Sequence, residues 1–278
     1  MKNAFRIGII ILTIAILTSC SANGKLLKGH DFDAQFKAAM KCYNEKNYSG
    51  AIQLYENLIM HYHGRENAED ISWYYGMSLM QIKDYYSAGY QFKNFNKRFP
   101  YSERAEESLF LAAKCKYLQS PEYYLDQKLT KEAIQEFESY VDRYPTSIHI
   151  PEINTCLDEL QEKLMHKEYD IAYGYYLTSN YHAAYVSMQS FLNNYPNSSY
   201  REDAMFYMLS SGYEYGINST DEKMRERLQL VINDFDRFAT LFSNSKYISE
   251  AQRIYTKTRE ALAALESRTA ANPVSSQK

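Results

Sequence analysis

The chain has 278 residues, 45% of them hydrophobic, with a formal net charge of −3. That hydrophobic share excludes general disorder, and the near-neutral balance leaves no electrostatic footprint for nucleic acid. Only 10 Gly and 6 Pro interrupt the chain, which favours helices, while 28 Tyr against one Trp commit the interior to rings whose hydroxyls need partners.

From the N-terminus, Lys2 and Arg6 flank the start of an apolar run over residues 7–17, which closes on Leu17-Thr18-Ser19-Cys20. This is the layout of a bacterial lipoprotein signal with a lipobox. The run falls short of the ~20 residues that cross a bilayer, so residues 1–19 read as a cleaved signal peptide. Cys20 is then the lipidation site, carrying diacylglycerol and an N-acyl chain such as palmitate, and no other cofactor is expected. Several acyl chains anchor a soluble body without a spanning helix. Ser21, where an Asp would often signal retention in the inner membrane, points to the periplasmic face of the outer membrane. Residues 20–30 read as linker.

Beyond the linker one frame recurs. Ala88, Ala133 and Ala184 each stand twelve residues before a proline, at Pro100, Pro145 and Pro196. Four residues after each alanine comes Phe92, Phe137 or Met188, and three further on Phe95, Tyr140 or Phe191. Phe99, Tyr144 and Tyr195 precede the prolines, and Ser102, Ser147 and Ser198 follow two residues after them. Two degenerate copies fit: Ala51, Tyr55, Leu58, Tyr62 and His63 at the start, and Val231, Phe235, Phe238, Phe242, Ser243 and Ser245 at the end. Positions 0, +4 and +7 share one helical stripe. Alanine admits a close neighbour, proline stops the helix, and the serine suits the start of the next one. The second helices of the five units are expected to begin near Tyr48, Tyr85, Thr130, Tyr181 and Leu228, with an insertion over residues 118–127 and a long helix over residues 151–177. Upstream of the second unit's alanine, residues 68–82 form its first helix, and Asp84-Tyr85 makes the turn. Units 1–3 span residues 31–150, units 4–5 residues 151–266, and residues 267–278 a disordered tail. Cys42, Cys115 and Cys156 fall inside apolar helical patterns and read as small core residues, with one disulfide among them left open.

Gly76, Tyr85, Ala88, Phe92, Phe95 and Pro100 stand at signature positions of the tetratricopeptide repeat, which the chain resembles; the usual Trp position holds Ser72, with Trp73 one residue later. The expectation is an all-α, right-handed superhelical solenoid of about five helix pairs. The lipobox joined to five such units, with the inserted third unit and the fourth unit's Glu168, Ala172, Tyr176, Tyr181, Ala183 and Ala184, resembles the BamD family of outer-membrane assembly lipoproteins. The resemblance implies a non-enzymatic scaffold of the β-barrel assembly (BAM) complex, which serves protein insertion into the membrane. Its implied partners are unfolded outer-membrane proteins, received by the N-terminal units, and a BamA-like β-barrel core subunit, docked by the C-terminal units. Two other classes fit the same repeats: a periplasmic adaptor coordinating cell-wall or envelope processes, and a glycan-binding uptake lipoprotein.

In this register Phe36, Met40 and Tyr43 of the first unit, and Trp73, Met77 and Met80 of the second, line a peptide groove; Trp73 equally fits a core position between helices, since a one-residue shift turns it ~100°. Arg201, Glu202 and Asp203, with Arg225 and Arg227, form the candidate docking charges, against the alternative of a solvated helix face. His61 and His63 lack companion carboxylates or cysteines, so no metal is expected. No HExxH, GxSxG or phosphate-loop motif frames an active site.

Overall fold

A computed structural model describes residues 26–61 and 66–271. Those residues are all-α, with no strand among them. In chain order the helices are α1 Phe32–Asn44, α2 Tyr48–His61, α3 Ala68–Gln81, α4 Tyr85–Arg98, α5 Ala105–Leu118, α6 Lys128–Arg143, α7 Ile150–Leu177, α8 Tyr181–Asn194, α9 Arg201–Ile217, α10 Asp221–Leu241 and α11 Ile248–Ala271. They form antiparallel pairs, α1/α2 to α9/α10, with α11 following the last. Three of the expected second-helix starts coincide with α2, α4 and α8. The third begins two residues early, at Lys128. The fifth begins at Asp221, not Leu228, because the run 221–227 is charged and supplies Asp221 and Glu222 to the helix's first turn, where carboxylates favour the helix dipole.

The chain divides into two compact units, Met1–Leu160 and Gln161–Lys278. The boundary lies within α7 and about ten residues beyond the expected break at 150. In unit 1, sequential helices from α1 to α6 pack on one another, and α1 also touches α3. In unit 2, α8, α9, α10 and α11 pack in sequence, and α9 also touches α11. Residues 267–271, expected in the tail, continue α11 instead: nothing in that stretch breaks a helix before Pro273, and Ser267 and Thr269 bond back to the carbonyls four residues earlier. The signal peptide, Cys20, Tyr62, His63 and residues 272–278 lie outside the described residues.

The repeating frame is the core. Ala51, Ala88, Ala133, Ala184 and Val231 are all fully buried, as are Tyr55, Phe92, Phe137 and Met188 at the next position of the stripe. Cys42, Cys115 and Cys156 are buried among them, none in a disulfide, and burial pushes the Cys115 thiol up to about 12.

Two turn types join the helices. Within pairs one, two and four, Lys46, Lys83 and Ser179 take the left-handed conformation, with φ near 61°, 64° and 59°. The next residue's amide closes each turn, from Asn47 to Cys42 O (2.8 Å), Asp84 to Leu79 O (3.0 Å) and Asn180 to Tyr175 O (2.9 Å). These six-to-one bonds cap the first helix. The second pair's turn thus centres on Lys83, with Tyr85 already helical.

Between pairs, Phe99, Tyr144, Tyr195 and Phe242 end their helices with φ from −127° to −131° and ψ from 51° to 65°. Three residues on, the hydroxyls of Ser102, Ser147, Ser198 and Ser245 accept the amides of Arg104, His149, Tyr200 and Tyr247 at 2.9–3.2 Å. The serine makes a local turn ahead of the helix; the residues flanking α5 and α9 are Arg104 and Tyr200, not Ser102 and Ser198.

Candidate functional site

In unit 1 the first helices α1 and α3 carry the predicted groove residues. Phe36, Met40 and Tyr43 are half-buried on α1 and pack on the core of the first pair. The Tyr55 hydroxyl donates to the Met40 sulfur at 3.2 Å. Met77 and Met80 are half-buried on α3, packed against the second core. Trp73 does not line this face. It is 7% exposed and lies edge-on to Phe92 (5.7 Å) and Phe95 (5.4 Å), with the Arg104 guanidinium 5.5 Å from its ring. The reason is register: Trp73 stands one turn before Gly76, on the α3 stripe that meets α4. Tyr74, a further ~100° round, is half-buried beside Tyr43, 4.9 Å away in a T-shaped pair, and packs against the cores of both pairs.

The predicted docking charges of unit 2 are largely engaged within the protein. Ser245 donates to Glu202 at 2.6 Å, Tyr247 donates to Asp203, and Lys246 pairs with Asp203 at 3.1 Å. Unit 1 repeats this clamp: Ser102 donates to Glu69 at 2.7 Å and Arg104 to Asp70 at 2.6 Å. An acidic pair in the first turn of one helix thus holds the serine turn that leads into a later one, and Glu202 and Asp203 serve the fold. Arg227 lies over the Tyr215 ring (3.7 Å) and donates to Ser219. Arg225 pairs with Glu266 at 3.1 Å between exposed side chains, and Arg201 is half-buried at the start of α9. His61 stacks on Phe32 at 5.4 Å. Among the described residues no three His, Cys, Asp or Glu side chains converge as a metal site.

The sequence reading missed a tyrosine ladder in unit 2. Tyr169, Tyr173 and Tyr176 on α7 run along one stripe; Tyr200 stacks on Tyr169 at 4.6 Å, and Tyr207 of α9 lies 4.6 Å from Tyr173 and 4.9 Å from Tyr176. Tyr247 extends the row to Phe206, stacked at 4.2 Å. Burial, then hydrogen bonds with Tyr173 and Tyr247, push the Tyr207 hydroxyl well above the ordinary tyrosine range. The spacing of the three α7 tyrosines was the available signal. Aromatic and thioether faces of this kind suit protein partners.

Residues 30–228 match the model of one protein family, YfiO, described as outer membrane lipoprotein. The chain belongs to the YfiO family. The match runs from just ahead of α1 into α10, so it takes in both candidate faces of this YfiO-family chain. No curated protein matches it. Among solved structures it is similar to the TPR2AB domain of yeast Sti1 in complex with pHSP90, at 10% identity and TM-score 0.39, covering 87% of this chain and 95% of that one. It is also similar to the apo form of RapI, at 15% identity and TM-score 0.36, covering 91% and 92%. No described helix of the YfiO-family chain is long and apolar enough to cross a membrane.

Proposed function

We propose that this protein is a lipid-anchored scaffold on the periplasmic face of the outer membrane, acting in β-barrel assembly as its resemblance to the BamD family implies. Cys20 carries the lipid. The first-helix face of unit 1, with Phe36, Met40, Tyr43, Tyr74, Met77 and Met80, receives unfolded barrel segments. Unit 2 docks on a BamA-like core subunit, with Arg201 and Arg225 at the rim of the contact. The family match over residues 30–228 carries this reading. The half-buried aromatic and thioether side chains support the receptor role, because flexible apolar surfaces re-pack for varied ligands.

The test is a gentle detergent pull-down of the tagged lipoprotein. Recovery of a large barrel protein with periplasmic domains, and loss of outer-membrane barrels on depletion, is the expected result. Recovery of cell-wall enzymes or a sugar-uptake receptor, with barrel levels unchanged, would overturn it. Cys20→Ala should release the protein from the membrane with its helices intact.

A further inference from the structure

Tyrosine hydroxyls in this protein are characteristically engaged. Tyr75 donates to Glu56, Tyr117 to Glu159, Tyr140 to Glu106, Tyr185 to Asp234, Tyr195 to Glu168 and Tyr247 to Asp203. Three tyrosines stand out from these as the most exposed of their kind among the described residues. Tyr86 is 76% exposed, Tyr90 67% and Tyr101 99%, and among the described residues none of them has a side-chain partner. Tyr86 and Tyr90 stand one turn apart on the outer face of α4, and Lys97 continues that stripe two turns on. Helix α4 carries Lys93, Lys97 and Arg98 and no carboxylate of its own, in a chain whose net charge is −3; Lys93 is paired with Glu136 and Asp84 caps the helix start, which leaves Lys97 as the cation of the outer stripe. Lys83 flanks its start, exposed.

We propose that the outer face of α4, through Tyr86, Tyr90 and Lys97 with Lys83 and Tyr101 at its ends, rests on the membrane surface and binds anionic phospholipid headgroups. Phenol rings are stable at the headgroup level, where the ring is shielded and the hydroxyl stays wet. Lysines beside them reach the phosphates. The helix lacks the carboxylates that would read sugar hydroxyls, which disfavours a glycan. Here the proposal rests on the Cys20 anchor: Leu26 stands six positions after Cys20, at most ~20 Å of extended chain, so a lipid there holds unit 1 near the bilayer. Leu26 packs on the first pair of unit 1, its carbonyl accepting from the Gln35 amide at 2.8 Å.

The full chain with Asn94→Cys, on the same helix face, can be labelled there with an environment-sensitive fluorophore, because Cys42, Cys115 and Cys156 are buried and the lipid blocks Cys20; peptide mass analysis checks that the dye sits at position 94 alone. The expected result is a blue shift with phosphatidylglycerol-containing vesicles, none with phosphatidylcholine, and reversal by high salt. Lys97→Glu should lower the partition of this site about tenfold, and Tyr86→Ser with Tyr90→Ser should abolish the shift. A label at Gln229→Cys on α10 should stay silent. If the chain floats with anionic vesicles but position 94 does not respond, the α4 proposal fails and the anchor stands. If the chain fails to float with phosphatidylcholine vesicles yet position 94 shifts with anionic ones, the anchor and the reach it supplies fail while the headgroup contact of α4 stands. Silence in both measurements, or a response only to an acidic peptide or a cell-wall fragment, overturns the proposal.

Discussion

A Cβ at Gly76 would stand 2.9 Å from the ring of Phe92, which is itself fully buried against Trp73. Gly76→Ala should therefore destabilise unit 1 by about 1–3 kcal/mol, read as a lower urea midpoint. Asp234 gives the opposite sign. Burial raises its carboxyl above the usual range, against the lowering effects of the Tyr185 hydrogen bond and of Arg237. The folded chain holds this proton more tightly than the unfolded chain, so ionised Asp234 opposes folding above its folded-state pKa, and acid relieves that cost. Asp234→Asn keeps an acceptor for Tyr185 and should raise stability at pH 7 by about 1 kcal/mol. The gain should shrink as pH falls toward 4, where the unfolded carboxyl also protonates; thermal melts at both pH values check it. Residues of the repeat frame were legible in the sequence because a fixed spacing marked them. Glu202 and Asp203 were not, because their partners stand 43 and 44 residues away.

The between-pair turn shows which local signals matter to an element. Phe242 ends α10 with φ −131° and ψ 51°, close to the values of Phe99, Tyr144 and Tyr195, although Ser243 replaces the proline that follows those three. The conformation therefore comes from the aromatic capping bond and the later serine, with proline reinforcing it. Ser243→Pro should stabilise the protein by about 0.4–1 kcal/mol, by restricting the unfolded chain, and a raised melting temperature would show it. Second helices were readable because alanine, aromatics and turn mark them three times over. First helices lack an equivalent mark, so Trp73 was readable equally as groove and as core, and Tyr74 went unnoticed. The insertion was legible as a length excess, but its organiser was not: buried Gln127 donates to the carbonyls of Glu122, Tyr123 and Leu125, and its own oxygen accepts from Thr130 at 2.6 Å.

Across the molecule, tyrosine–carboxylate pairs recur in both units, so their titration is a property of the whole. The hydroxyls of Tyr117, Tyr140 and Tyr195 are each pushed up to about 12, by a hydrogen-bonded glutamate first for Tyr117 and by burial first for the other two. The folded chain retains these protons above pH 10, where the unfolded chain releases them. Their contribution is thus complete below pH 10 and lost as pH rises toward 12. Urea midpoints should hold steady from pH 8 to 10 and fall steeply by pH 11.5; a flat profile would refute this account. Composition alone announced that so many phenols would need partners, but only the fold identified the carboxylates, and only the fold singled out Tyr86, Tyr90 and Tyr101 as the most exposed.

The clamp of an acidic pair on a serine turn closes the joint after α4 and again after α10 on one plan, with Arg104 on the second carboxylate in the first and Tyr247 and Lys246 in the second. A joint built on one plan at both places is indifferent to which pair precedes it. A gene could duplicate or delete one helix pair between two such joints without new interface chemistry. Chain length in this lineage would then change in whole pairs, leaving the aromatic spine in phase at every cut.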